Sequence, residues 1–380
     1  MIAEGAELRE QLRTLLGPAG LITDEAASAP YLSDHRRLYH GRALGVARPQ
    51  SVAEVSRVLA LCNAAGVGVV PQGGNTSYCG GATPDASGGQ LVVALERLNR
   101  IREVDAANDS LIAEAGCRLA QVQAAADAAE RFFPLSLGSE GSCQIGGNLS
   151  TNAGGTSVLR YGMMRELVLG LEVVLPDGRV LEGLSSLRKD NTGYDVKALF
   201  LGAEGTLGII TAATLKLFPK QRAHATALIA VPDVAAAVAL LARVRAASSE
   251  RASSFELLPR SALELTVRHI AGVSDPFAQA HPWYVLCELS ASRAAEPLAE
   301  LLTEVLGSAL EAGEVLDAVI AASERERGAL WKMRENIPEA QRREGVGLKH
   351  DICVPVSRLA EFVARAAAWI AEALPDGQLV

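Results

Sequence analysis

Apolar side chains recur at helical spacing at Val52, Val55, Leu59 and Cys62. The capping box Ser51-Val-Ala-Glu54 opens that run and Gly66 closes it, which predicts a helix. Val67-Gly-Val-Val-Pro71 then reads as a short buried strand running into the loop Gln72-Gly-Gly-Asn-Thr-Ser77. Strands are predicted at Leu91–Leu95 and Leu111–Ala115, with an Ala-rich helix at Leu119–Ala129. Two apolar runs, Leu167–Leu175 and Arg179–Leu184, flank the turn Pro176-Asp-Gly178 and predict a β-hairpin. Leu207–Leu217 is the next β-rich run, and it ends at Phe218-Pro219-Lys220.

After Pro219 the texture changes to longer Ala/Leu/Arg helices separated by single strands. Strands are expected at 225–231, 253–258, 283–289, 315–321 and 348–354, alternating with helices at 233–247, 260–270, 295–312, 323–336 and 357–374. That order predicts an antiparallel sheet with helices on one face, an α+β layer. The expected division is therefore a helical segment over 1–45, a glycine-rich domain over 46–219 and a second domain over 220–380. Pro375-Asp-Gly-Gln-Leu-Val380 reads as a turn entering a strand that is not completed, so the chain is expected to be part of a longer protein.

Composition narrows the function. The 380 residues carry a formal charge of −8, which argues against nucleic acid or an anionic membrane surface as the main partner, since both select dense positive charge. No apolar run approaches the roughly 20 residues that cross a bilayer. The N-terminus is acidic where a signal peptide is basic, and is expected to be a surface helix. Six scattered cysteines without a CxxC pair fit reduced thiols in a cytoplasm rather than a disulfide framework. Metal-ligand spacing such as HExxH is absent.

Glycine is the outlier: 22 of the 35 glycines lie in two windows, 66–89 and 138–208. Neither GxGxxG after a strand nor GxxxxGK[ST] occurs. In Pro71-Gln-Gly-Gly-Asn-Thr-Ser77 the paired glycines let successive N–H groups converge on an anion, with Asn75, Thr76 and Ser77 adding side-chain donors. The segment 134–155 is a long Gly/Ser/Asn/Thr-rich loop with little charge, of a kind that usually carries function. Gly202-Ala-Glu-Gly-Thr-Leu-Gly-Ile-Ile210 leads from a loop into an apolar strand.

Six segments, in order, carry a resemblance. They are Pro71-Gln-Gly-Gly-Asn-Thr, Gly141-Ser-Cys-Gln-Ile-Gly-Gly-Asn, Thr151-Asn-Ala-Gly-Gly, Arg160-Tyr-Gly, Leu187-Arg-Lys-Asp-Asn-Thr-Gly-Tyr-Asp195 and Gly205-Thr-Leu-Gly-Ile-Ile-Thr211. From about Arg48 onward the chain resembles the FAD-dependent D-2-hydroxyacid dehydrogenases of the vanillyl-alcohol oxidase superfamily. The resemblance implies an α+β fold: a two-subdomain FAD-binding PCMH-type domain, then an antiparallel-sheet cap that is incomplete at its C-terminus. It implies that Pro71, Gly73, Gly74, Asn75, Thr76 and Ser77 cradle the FAD pyrophosphate. Gly138, Ser142, Ile145, Gly146, Gly147, Asn148, Thr151, Asn152, Gly154 and Gly155 would follow the isoalloxazine and ribityl chain, and Gly205, Gly208 and Ile209 would close the adenine side. Relatives that tether FAD often carry a His where this chain has Asn75, so dissociable FAD is expected. Cys143 is expected to be a packing residue rather than a flavin link.

The implied reaction is oxidation of a D-2-hydroxy acid of the 2-hydroxyglutarate, lactate or glycolate class to the 2-oxo acid by hydride transfer to flavin N5. Arg334 and Lys349 match the positions that contact the substrate carboxylate. His350, beside Lys349, is left out of the site because a strand would point it to the opposite face. Pro338 stands where relatives carry a hydroxyl residue, which weakens the case for a second carboxylate on the substrate. No catalytic base is assigned within the chain: the divalent-metal ligands and the base His of relatives are expected beyond Val380, in the full-length protein. An electron acceptor (an electron-transfer flavoprotein, a quinone or a cytochrome) and a homodimer are the expected partners. The alternatives are a non-catalytic or partner-completed flavin subunit, and another reaction of the superfamily, oxidase or alkyl-glycerone-phosphate synthase-like.

Overall fold

Periodicity translates directly into the first elements of the computed structural model, which describes residues 2–375, 377, 379 and 380. The helix Val52–Ala64 starts at Ser51, whose hydroxyl accepts the N–H of Glu54 at 3.2 Å, and buries Val55, Val58, Leu59 and Cys62. The helix Ile2–Leu16 is less superficial than its acidic start implies, because Leu8, Leu12 and Leu16 at i, i+4 and i+8 are buried in the same core.

The chain divides into two units, one running through Gly155 with Tyr161–Lys220, the other made of Thr156–Arg160 with Gln221–Val380. In the first, β1 (Leu21–Ile22), β2 (Gly45–Ala47), β3 (Val69–Gln72) and β4 (Leu91–Ala94) form a sheet in the order β1-β2-β4-β3, with β2, β4 and β3 mutually parallel. Then come β5 (Ile101–Asp105), β6 (Ser110–Glu114), β7 (Arg131–Phe132), β8 (Val168–Val174), β9 (Val180–Gly183), β10 (Ile209–Lys216) and β11 (Phe218–Pro219). Five of these make an antiparallel sheet, β5-β6-β10-β8-β9, while β7 pairs with β11. The hairpin at Pro176-Asp-Gly178 forms, with Val174 opposite Val180.

The second unit is a four-stranded antiparallel sheet, β13 (Ala252–Pro259), β14 (Trp283–Ala291), β12 (Ala223–Val231) and β15 (Asp317–Ile320), in that order. Helices cover both of its faces, not one. Ala237, Leu240, Leu302 and Leu306 of the helices Val234–Ser248 and Leu298–Glu311 pack with Ala227, Ile229, Val285 and Cys287. On the opposite face Leu263, Leu330 and Met333, from the helices Arg260–His269 and Glu324–Glu335, pack with Leu228, Ala230, Tyr284 and Leu286. The reason is in the strands: eight of the nine residues of β14 are buried, which requires cover on both sides.

Two other expectations differ from the structure. Residues 345–355 form no strand; Leu348 and Ile352 are 79 and 63% exposed, with no neighbouring strand to pair with. His350 therefore lies in irregular backbone and is not turned to the far face of a strand. Between the expected helix and this segment lies the short helix Ile337–Glu344, with Pro338 in its first turn, where a missing N–H costs nothing. The strand expected to begin over 375–380 falls partly on Asp376 and Gln378, outside the described residues.

On the second face of the sheet a carboxylate replaces apolar packing. Glu288 of β14 is 5% exposed and accepts from Thr226 Oγ1 and Trp331 Nε1, each at 2.7 Å, and from Arg327 Nε and Nη2 at 2.8 and 3.0 Å. Burial pushes its pKa up, but His224, Arg327 and Trp331 outweigh burial and bring it down to about 2. Removing the charge strands a half-buried guanidinium, so Glu288→Gln is expected to lower stability at neutral pH by about 3 kcal/mol. Because the folded-state value lies below the ordinary 4.5, that contribution is present above about pH 4.5 and is lost as pH falls toward 2. Urea midpoints of the native protein and the variant should converge over that range; a gap independent of pH contradicts the assignment.

Candidate functional site

In the first unit β3 ends at Gln72, at the C-terminal edge of parallel strands, where open α/β sheets place ligands. Gln72 is buried, and its side-chain amide donates to Tyr31 O at 3.0 Å and Ala82 O at 2.7 Å, which fixes both flanks of the loop that follows. Asn75 takes a left-handed conformation, φ 50°, and donates through Nδ2 to Ser33 O at 2.7 Å and Pro30 O at 3.3 Å. Its side-chain donor is therefore spent on the scaffold, contrary to the expectation that it reaches the ligand. Ser77 Oγ accepts the N–H of Cys79 at 3.3 Å.

The two glycine windows meet backbone to backbone. A Cβ on Gly74 would lie 2.2 Å from Ser142 O and 3.0 Å from Cys143 Cα, and one on Gly73 would lie 3.5 Å from Gly147 N. The segment 134–155 is not wholly loop: Ile145–Ser150 is a short helix. The N–H groups of Ile145 and Gly146 donate to Cys117 O at 2.9 Å and Ala115 O at 2.7 Å, securing the segment to the end of β6. Those two amides are consequently occupied. Asn148, 5% exposed, turns inward and contacts Cys143 Sγ at 3.6 Å; Cys143 itself is 3% exposed, inside the core. Thr151 Oγ1 donates to Gly147 O, and Asn152, at φ 48°, accepts from Arg165 N at 2.8 Å.

The third glycine element joins the first two. Glu204 N donates to Ser150 O at 2.9 Å and Gly202 N to Leu149 O at 3.1 Å, while Gly205, at φ 79°, lies so close to Pro71 that a Cβ would sit 2.8 Å from its ring. Beside them a cavity of about 250 Å³ is lined by Leu59, Val69, Pro71, Gly205, Gly208 and Ile209. Gly155, at φ 90°, leaves no room for a Cβ, which would lie 2.2 Å from Ser136 O, and follows half-buried Gly154.

What remains unused defines the site. Among the described residues no hydrogen bond engages the N–H groups of Gly73, Gly74, Asn75, Thr76 or Gly147. Gly138, Gly141 and Gly147 face open space, with no atom within 4 Å of an added Cβ. Gln144 Oε1 is buried without a partner, 3.7 Å from where a Cβ of Gly73 would be. Sequence reasoning overlooked Gln144, although it sits inside Gly141-Ser-Cys-Gln-Ile-Gly-Gly. A row of free amide donors beside glycines that face open space suits a pyrophosphate joined to flat rings.

Residues 43–183 match the family model "FAD binding domain" and residues 220–375 match "FAD linked oxidases, C-terminal domain". The D-2-hydroxyglutarate dehydrogenase of Xanthomonas citri pv. viticola is 38% identical over 360 residues, 95% of this chain and 74% of that protein. The chain belongs to the FAD-linked D-2-hydroxyglutarate dehydrogenase family. It is also 38% identical to the probable mitochondrial D-2-hydroxyglutarate dehydrogenase of Oryza sativa subsp. indica over 92% of its length, while spanning 62% of that relative. In fold it is similar to an alkyldihydroxyacetonephosphate synthase structure, with TM-score 0.73 at 20% identity, over 89% of this chain and 65% of that one. FAD is thus the cofactor of this family domain, and the free amides, the open glycines and the unpartnered Gln144 carbonyl fit it.

The second unit carries the two cations. Arg334, on Glu324–Glu335, donates through Nε and Nη2 to Glu256 Oε2, both at 2.6 Å. Lys349, in the irregular segment, donates to Gln341 Oε1 at 2.5 Å. Each is thus fixed by a different residue. Among the described residues no group of three or more His, Cys, Asp and Glu is placed to hold a metal ion, so no step is derived through one.

The two windows make opposite demands on an added methyl group. Gly74→Ala must drive the windows apart and is expected to lose both FAD and thermal stability. Gly147→Ala adds a methyl to open space in a helix, so the apoprotein should melt within about 0.5 kcal/mol of the native one while retaining at least tenfold less flavin, read as the flavin-to-protein absorbance ratio after gel filtration. Full flavin retention in Gly147→Ala would exclude this cradle.

Proposed function

We propose that this chain binds FAD non-covalently and forms the flavin-binding and anion-binding part of an oxidoreductase that converts a D-2-hydroxy acid into its 2-oxo acid. The observation that carries the proposal is the row of unengaged amides at Gly73–Thr76 and Gly147, next to glycines that face open space. These amides would hold the pyrophosphate, with Pro71, Gly205, Gly208 and Ile209 around the adenine and Gly138, Ser142 and Gln144 along the ring system. Ile145, Gly146, Asn148, Thr151, Asn152, Gly154 and Gly155 support the cradle from behind. When bound, FAD supplies the two-electron acceptor for the hydrogen that leaves C2 of the acid as hydride, the hydroxyl proton leaving separately.

The role of this chain's residues is placement. Arg334 offers a planar charged donor set and Lys349 a point charge, the two ways in which side chains hold a carboxylate. Dissociable FAD is supported by Asn75, tied to Ser33 and Pro30, and by the inward packing of Cys143. The substrate class rests on the names of relatives, which specify D-2-hydroxyglutarate; D-lactate and glycolate belong to the same chemical class. The acceptor is read as an electron-transfer flavoprotein, quinone or cytochrome, and the protein as a homodimer. A reducing compartment, taken as the cytoplasm, is supported by unpaired cysteines; burial raises Cys62 and Cys287 to about 12, which keeps them as inert thiols. Several relatives carry the word mitochondrial in their names. The second reading, a flavin subunit without its own chemistry, is favoured by the absence of a metal-holding group among the described residues.

Two measurements separate these readings. Acid precipitation should leave the yellow colour in the supernatant; colour pelleting with the polypeptide contradicts dissociable FAD. Anaerobic addition of D-2-hydroxyglutarate, D-lactate or glycolate, with a divalent metal supplied, should bleach the flavin. Bleaching by none of them removes the dehydrogenase reading and leaves the non-catalytic one.

A further inference from the structure

Glu256 has no role in the cofactor cradle, yet it makes the closest contact of the candidate substrate cation. It stands on β13 opposite Leu286 and presents one carboxylate oxygen, Oε2, to both Nε and Nη2 of Arg334. The pair is 22 and 30% exposed on the glutamate and arginine sides, at the surface end of the face where the helix Glu324–Glu335 lies on the sheet. A half-buried pair open to solvent screening adds little to stability, whereas its two-point contact fixes the orientation of the guanidinium. An arginine side chain free in solvent samples many rotamers, whereas one edge of the Arg334 guanidinium is fixed here and the Nη1 edge is left without a hydrogen bond among the described residues.

The same helix is fastened one and two turns earlier by a second carboxylate. Arg327 and Trp331 both donate to Glu288, and positions 327, 331 and 334 fall on one helical face. Glu288 therefore sets where the helix lies, and Glu256 sets where the last guanidinium of that face points.

We propose that Glu256 is the positioning residue for Arg334: it occupies the Nε edge and turns the Nη1 edge outward as a pre-oriented site for the carboxylate of a 2-hydroxy acid. The inference rests on the reading of Arg334 as a substrate contact. It makes a counter-intuitive demand, because removal of a negative charge beside an anion site strengthens anion binding if the glutamate merely competes with the ligand, and weakens it if the glutamate aims the arginine.

The test uses the FAD-loaded chain, with D-2-hydroxyglutarate and D-lactate as titrants in calorimetry. Glu256→Ala is expected to weaken binding about tenfold, and Glu256→Gln, which keeps an acceptor for the Nε edge, to stay within about threefold of the native protein. In a nitrogen-15 spectrum the Nε–H signal of Arg334 should be sharp in the native protein and in Glu256→Gln, and lost to exchange in Glu256→Ala. Unchanged or tighter binding in Glu256→Ala, or an unaltered Nε–H signal, overturns the proposal. Arg334→Ala separates the two levels. If it weakens binding while Glu256→Ala does not, the positioning role alone fails; if it leaves binding unchanged, the reading of Arg334 fails and the inference falls with it.

Discussion

The flavin-binding unit depends on one contact that no side chain could survive, the approach of Gly74 to the carbonyl of Ser142. At 2.2 Å from that oxygen there is no volume for a methyl group, so the loop after β3 and the segment before the Ile145–Ser150 helix are held together as bare backbone. Everything else in the cradle follows from holding them there. Gln72 and Asn75 spend their side-chain amides on Tyr31, Ala82, Pro30 and Ser33 to keep the first loop in place, and Ile145 and Gly146 spend their backbone amides on Cys117 and Ala115 to keep the second. The amides between those anchors are left with nothing to bond. Donors in this condition are costly unless water or a ligand takes them, which makes the cradle a product of satisfied surroundings rather than of any special residue in it.

This division of labour explains how far the site was legible in the sequence. Clustered glycines announce close backbone approach, and the order of the motifs announced the family. What the sequence does not display is which groups are already occupied. Asn148 looks like a lining residue in a polar motif, yet its side chain contacts Cys143, the expected packing residue, in the core. Asn75 looks like a donor to the ligand and is a brace. Conversely Gln144, an ordinary glutamine in the same motif, is the side chain left with a buried unpartnered oxygen. Accounting for hydrogen bonds needs distances, and composition cannot supply them.

The fold shows the same limit in a different form. Local signals, such as the Ser51 cap, the Pro176-Asp-Gly178 turn and the apolar β14 run, located elements well. Failures arose where the outcome depends on a partner across space. β12 and β14 are apolar on both faces and so recruit helices to both sides of their sheet. Residues 348–354 alternate well enough for a strand, but they pair with no strand among the described residues and stay irregular. The helix hidden in 134–155 lacks periodicity because it lasts six residues and is stabilised by its anchors to β6.

The two units apply different electrostatics to the same kind of charge. In the first, the donors left free are neutral amides whose directions the backbone fixes, an arrangement that would let a chain with a net charge of −8 hold a pyrophosphate through backbone dipoles. In the second, the candidate anion contacts are full charges on long, flexible stems, and a charge is useful for recognition only when its direction is known. The structure directs those stems with carboxylates: Glu288 holds Arg327 and Trp331 against the sheet, and Glu256 holds the edge of Arg334. A buried glutamate at about 2 is a firm anchor because it stays ionised at neutral and mildly acid pH. An acidic chain thus uses its own negative charges to fix the direction of its positive ones, and on the proposed reading two glutamates that would themselves repel an anion orient the cations that meet it.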